Sequence, residues 1–255
     1  MQFVRSQDLK PGMRLAKPIY NKMGVLLYER NTKLTLQSIN SIDNFGLIGI
    51  FILEPAEPVP PLSKEDLEFE QFQTIYMFKL KDCMDKLLAQ KNIPAITELV
   101  QNIYTHYGAL DHKLNFTQNL RSSADFVYKH SISVAILSAN EMHIEPEDSQ
   151  SLIAASLLYD FGYLSVPKSI LDKNEDLSAS DRDLIQLKSE HGYEIIRPHF
   201  AELGLNDTSL EIIQNIIFED HATISPRLPK PPVQLLIDIL KAADKFDLFT
   251  AMNIN

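Results

Sequence analysis

One cysteine occurs in 255 residues. Cys83 lies in KLKDCMDKLL, a stretch with helical spacing, and has no second cysteine to pair with. A disulfide framework and a thiolate metal site are therefore excluded, and a reducing cytoplasm is the expected compartment. Long apolar runs are missing as well. The longest, GLIGIFIL at 46–53, is far short of the roughly 20 residues a membrane span requires, and MQFVRSQDLK carries no apolar signal core. Positive charge is scarce: the net charge is −10, and no Lys/Arg cluster is interleaved with aromatic residues. That balance opposes binding to phosphate backbones, so nucleic acid is not an expected partner. Gly-x-Ser-x-Gly and Gly-rich phosphate loops are also absent, and Ser131 beside His130 points off a different helical face. Nucleophilic serine or cysteine catalysis is set aside on those grounds.

What is present divides unevenly. Residues 1–54 hold seven Lys/Arg and four Asp/Glu, a net of +3 that leaves −13 for the remainder. Turn signals (LKPGM, NKMG), short apolar runs (VLLY, LIGIFIL) and one helical stretch, TLQSINSIDNF, predict a small β-rich (α+β) domain over 1–54. The segment 55–62 follows, with prolines at 55, 58, 60 and 61, and reads as an extended linker. SKED at 63–66 is a candidate helix start, and the helix it opens should run to about Lys91. Further helices are expected near 93–107, 116–142, 148–160, 179–198, 208–221 and 232–250. The fold class is thus multidomain: a β-rich N-terminal domain, connecting or dimerisation helices over 63–115, and an all-α domain over 116–255. The stripe Phe69, Phe72, Tyr76, Phe78 and Met84 reads as core packing or a helical dimer contact, which makes a homodimer one expectation. The chain stops at DKFDLFTAMNIN, a stretch in which the last helix can still be running, which leaves a missing C-terminal tail open.

Three segments each set one His or Asp in a strongly apolar helical context: VYKHSISVAIL with His130, SLLYDFGYLSVP with Asp160 and LKAADKFDLFT with Asp244. A metal pair on a helical scaffold needs ligands from separate helices, because one helix aims only residues at i, i+3 and i+4 at a common point. Each residue also has a plainer reading. A lone His on an apolar face is more often a satisfied core histidine than a ligand, Asp160 before Phe-Gly can cap a turn, and Asp244 can be a buried ion-pair partner.

Helix-His-Ser, an apolar run ending in Asp-x-Gly, a GYEII segment and Ala-Asp-x-aromatic-Asp together resemble the HD superfamily of phosphohydrolases. More narrowly, residues 120–252 resemble the HD-GYP group of cyclic di-GMP phosphodiesterases, and VRSQDLKPGMRLAKPIYNKMGVLLYERNTKL is similar to the small domain that often precedes HD-GYP modules in bacterial proteins. The resemblance implies metal-ligand roles for His130, Asp160 and Asp244. It also marks departures. Tyr159 stands where the family has the His of its His-Asp pair, Tyr163 where it has Lys, and Lys188 where it has the His four residues before Gly192. Its His-His-Glu run falls on Glu219, Asp220 and His221, and its Gly-Tyr-Pro on Arg227, Leu228 and Pro229.

A two-metal site requires neutral imidazoles and carboxylates. Tyr159 is a protonated phenol at neutral pH, and the Lys188 ammonium has donors but no lone pair. Lys188 is therefore expected to fill part of the metal volume and to pair with Asp160, Asp244 or both. Arg227 reads as a phosphate contact or a solvated loop charge. The resulting expectation is a non-catalytic bacterial signalling or scaffold protein without cofactor, on a degenerate HD-GYP fold, acting through a protein partner, with cyclic di-GMP as the candidate nucleotide. The alternative is an active cyclic di-GMP phosphodiesterase using Fe or Mn at His130 and Asp160, with Asp220 or His221 recruited. A third is kinship with non-catalytic HD-related output domains.

Overall fold

The computed structural model describes residues 1–45, 47, 49–59, 61, 63–108, 121–122, 126–140, 144–171, 177–219, 231–250 and 253–254. In the N-terminal region lie β1 (Gln2–Arg5), β2 (Arg14–Leu15), β3 (Ile19–Tyr20), β4 (Leu26–Tyr28), α1 (Leu36–Asn44) and β5 (Gly49–Leu53). The GIFIL run of β5 is buried on both faces because it is the central strand, with β1 and β2 antiparallel at its sides. Alternation then splits its residues between two clusters. Ile50 and Ile52 join Leu9, Leu15, Ile19, Leu34 and Ile42, while Phe51 and Leu53 meet Ala16 on the other face.

The helical stretch of this region forms as α1. Thr35 caps it, accepting from the Ser38 N–H at 3.1 Å, while the Ser38 hydroxyl accepts from the Thr35 N–H at 2.7 Å. The β3–β4 hairpin turns through Gly24 at φ +77°, where a Cβ would also lie 2.5 Å from Ile75 Cδ1. Glycine is needed there for both reasons. The proline-rich segment is not simply extended: the Glu57 N–H donates to Glu54 O at 3.0 Å, closing a turn.

α2 (Lys64–Leu88) opens on Ser63 and Asp66, whose side chains each accept from the other's backbone N–H, at 3.1 and 2.9 Å. Phe72, Tyr76, Leu80, Cys83, Met84 and Leu87 are buried at 3–4 residue spacing, and Phe69 and Phe78 are half-buried. The first half of α2 belongs to the N-terminal unit: Glu70 pairs with Lys17, and Gln71 Nε2 donates to Gly24 O at 2.6 Å. The boundary between the two compact units falls inside this helix, between Phe78 and Lys79.

The second unit takes the rest of α2, then α3 (Thr97–Tyr107) and the helices that follow. The helix expected over 116–142 is corrected at its start. Arg121–Ser122 is a short strand, β6, and α4 runs over Phe126–Ala139. Ser122 competes for backbone hydrogen bonds, and the pairing of these two residues with Asn253–Ile254 overrides the good helix propensity of Arg121. Next come α5 (Pro146–Leu158), a 3₁₀ turn at Phe161–Ser165, α6 (Lys168–Leu171), α7 (Ala179–Ile196), a 3₁₀ turn at Arg197–His199, α8 (Phe200–Leu203), α9 (Asp207–Glu219) and α10 (Pro231–Thr250). The short α6 and α8 were not expected from the periodicity, being about one turn each. The final helix is not running at the last described residues: Asn253–Ile254 forms β7, which pairs in parallel with β6.

α4 and α5 are buried nearly all round, which explains why neither shows a polar face in the sequence. α9 packs on both α5 and α10. No helix among the described residues is long and apolar enough to cross a membrane.

Candidate functional site

His130 sits midway along α4 with 1% of its side chain exposed, among Ile132, Val134 and other fully buried neighbours. α10 presents Asp244 and Asp247 to it from one face, since i and i+3 are helical neighbours. Asp247 Oδ2 lies 2.6 Å from His130 Nδ1, and Asp244 Oδ1 lies 2.9 Å from Nε2. At the end of α5 the chain adds Tyr159 and Asp160. The Tyr159 hydroxyl donates to Asp244 Oδ1 at 2.7 Å and lies 2.7 Å from His130 Nε2, and Asp160 Oδ2 is 3.8 Å from the same nitrogen.

Two glycines bring the fourth element close. A Cβ on Gly162, in the turn after Asp160, would stand 1.9 Å from Lys188 O on α7, and a Cβ on Gly192 would stand 2.7 Å from Gly162 N. Only hydrogens fit between turn and helix, so α7 lies against the turn. Lys188 Nζ thereby reaches 3.7 Å from Asp160 Oδ1 and 3.1 Å from the centre of the Tyr163 ring. That is an ion pair together with a cation–π contact.

The electrostatics follow from these contacts. Burial pulls the His130 pKa down, but hydrogen bonds to Asp244 and Asp247 and the nearby Asp160 charge outweigh it and raise it to about 9. Nδ1 faces a carboxylate, which only accepts. Nε2 faces the Asp244 carboxylate at 2.9 Å and the oxygen of a phenol that donates its own hydrogen to Asp244. Both ring nitrogens therefore carry hydrogen and His130 is an imidazolium. Burial pushes the Tyr159 phenol well above its ordinary value, and the surrounding carboxylates add to this. Burial raises Asp160 despite the Lys188 ammonium beside it. Burial raises Asp244 too, but hydrogen bonds from His130 and Tyr159 outweigh it and hold the carboxyl below its usual range.

The arrangement does not fit the metal pair that the resemblance implies. A divalent ion bonds imidazole nitrogen and carboxylate oxygen at about 2.0–2.2 Å. The Tyr159 hydroxyl stands 2.7 Å from both His130 Nε2 and Asp244 Oδ1, which are themselves 2.9 Å apart, so these two groups are hydrogen-bonded to one another and to a phenol. Tyr159 puts a phenol, a poor ligand at neutral pH, where the resemblance implies an imidazole, and Lys188 sets an ammonium beside the Asp160 carboxylate. Among the described residues, no group of three or more His, Cys, Asp and Glu side chains could hold a metal ion.

The chain thus brings together His130, Tyr159, Asp160, Tyr163, Lys188 and Asp244. His191 is exposed on α7 and takes no part. Glu219 ends α9, while Asp220, His221 and Arg227 lie outside the described residues. The residue not singled out beforehand is Asp247. Its signal was the second Asp of Ala-Asp-x-aromatic-Asp, one turn beyond Asp244.

Three segments thus deliver His130, Asp160 and Asp244 to one buried point, and α7 adds Lys188. Residues 127–248 match the family model of the HD domain. This match supports placing the helical region in the HD superfamily, with a phosphohydrolase-type fold. No curated protein matches the chain. The HD match spans α4 through all but the last turn of α10, so each residue of the polar cluster lies within it.

Proposed function

We propose that this HD domain is a degenerate member of the HD-GYP type, one in which hydrogen-bonded charges stand where metals would be, and that it acts by binding rather than by hydrolysis. The observation that carries the reading is the Tyr159 hydroxyl, shared between His130 Nε2 and Asp244 Oδ1 at 2.7 Å each. A protonated phenol and an ammonium are poor metal ligands, and the carboxylates that remain are each held by His130, Tyr159 or Lys188 rather than directed at a water. What the cluster does is join α4, α5, α7 and α10 through buried polar contacts. The domain becomes a rigid module for a protein partner in bacterial signalling, with cyclic di-GMP a candidate ligand through residues outside the cluster.

The test uses the full chain purified without chelators. Metal content and cyclic di-GMP hydrolysis with added Mn²⁺ or Fe²⁺ are measured together, and both are expected at background. Near-stoichiometric metal with turnover abolished in Asp160→Ala would instead establish a reduced-metal phosphodiesterase. If neither activity nor metal is found, a pull-down with and without residues 1–54 locates the surface that holds the partner.

A further inference from the structure

The outward face of α10 carries a pattern that the polar cluster does not use. Leu235, Ile239, Ala242, Phe246 and Phe249 follow one another at spacings of four, three, four and three residues, the seam of a two-stranded helical contact. It turns away from the buried row Val233, Leu236, Leu240, Ala243 and Asp247 that holds α10 in the domain. Leu235 is 55% exposed, Phe246 51% and Phe249 91%. With Ile239 half-buried and Ala242 exposed between them, these side chains line one face of α10 as a continuous apolar stripe, the kind of surface a helical partner covers. At about 1.5 Å per residue the seam is roughly 21 Å long.

We propose that this seam pairs with a second copy of itself, antiparallel, across a two-fold axis near Ala242. The charges beside it select that occupant and that direction. Asp238 and Lys245 flank the seam on its open side, seven residues apart and therefore at equivalent positions of successive heptads. In an antiparallel pair those flanking positions face each other, so Asp238 of each copy meets Lys245 of the other, twice by symmetry. Gln234 Nε2 donates to Asp238 Oδ1 at 2.9 Å, which orients the carboxylate along the same flank. A parallel pair would set Asp238 and Lys245 against Leu236 and Ala243, which are buried in the domain and carry no charge. Side-chain sizes agree with the antiparallel register. Ile239 faces Ala242 at the centre, Leu235 faces Phe246 on either side, and Phe249 reaches the exposed Pro232 at each end.

Association of the full chain, followed by sedimentation equilibrium in low salt, tests this. Wild type is expected to form a concentration-dependent dimer. Ala242→Arg, which puts two guanidinium groups on the axis, is expected to leave monomer with unchanged circular dichroism. Asp238→Lys alone and Lys245→Asp alone should each weaken the dimer roughly tenfold by turning two attractions into two repulsions. The double exchange Asp238→Lys with Lys245→Asp restores both attractions and should recover most of the loss. Three results overturn the proposal: a monomeric wild type, a dimer indifferent to Ala242→Arg, or a double exchange that is no better than the singles.

Discussion

Tyr159→Phe removes one hydroxyl that touches two buried groups. His130 Nε2 and Asp244 Oδ1 keep each other at 2.9 Å, so the loss of one hydrogen bond should cost about 0.5–1.5 kcal/mol in urea denaturation with the fold retained. The paired charges make a second prediction. His130 rises from an ordinary value near 6.5 to about 9, so the native state holds this proton more tightly than the unfolded chain does. Its stabilisation is complete below pH 6.5 and is lost as pH climbs through 9. Wild-type denaturation midpoints should fall across that window, while those of His130→Gln stay flatter. Third, Lys188→Met leaves the Asp160 carboxylate without its ammonium. A loss of up to about 3–5 kcal/mol is expected, with Asp160→Asn in the same chain recovering part of it. Of these residues, His130, Asp160, Asp244 and Lys188 could be picked from the sequence by spacing and by likeness to a family. Asp247 could not be ranked above Asp244, because both lie on one helical face and only packing decides which of them is buried against Nδ1.

At the scale of the element, the approach of the Phe161–Ser165 turn to α7 is the most sensitive contact in the site. Gly162→Ala places a methyl group 1.9 Å from Lys188 O, a backbone atom that cannot swing aside. The turn and α7 must separate, which should lower thermal stability by 1–3 kcal/mol or more and carry Lys188 away from Asp160. Gly192→Ala acts on the same contact from the other side and should be milder, since its nearest atom is 2.7 Å away. Helices with caps or sustained apolar spacing, such as α2 with Ser63 and Asp66 or α7 with Ser178 and Asp181, could be read within a few residues. The strand at Arg121–Ser122 could not, because its pairing partner Asn253–Ile254 is more than a hundred residues away and two residues carry no period.

For the whole molecule, added Mn²⁺ or Fe²⁺ should leave the melting temperature of the chelator-treated protein unchanged. A metal bound at a hundred times its dissociation constant would add about 2.7 kcal/mol, an easily seen shift. Charge and composition alone set the outline: a β-rich region of net +3 ahead of an acidic helical one, with no apolar run long enough for a helical membrane span. Those properties are sums or short periods over neighbouring residues, so no tertiary contact is needed to read them. The sequence likewise set His130, Asp160 and Asp244 in three separate apolar segments, with Tyr159 and Lys188 at positions where the resemblance implies imidazoles. Only the tertiary structure decided where those replacements point. The Tyr159 hydroxyl meets both His130 and Asp244, and Lys188 reaches Asp160 where Gly162 and Gly192 let the turn and α7 touch. Residues 85 or more apart in the chain meet at that point, and such a meeting is fixed by packing, not by local preference.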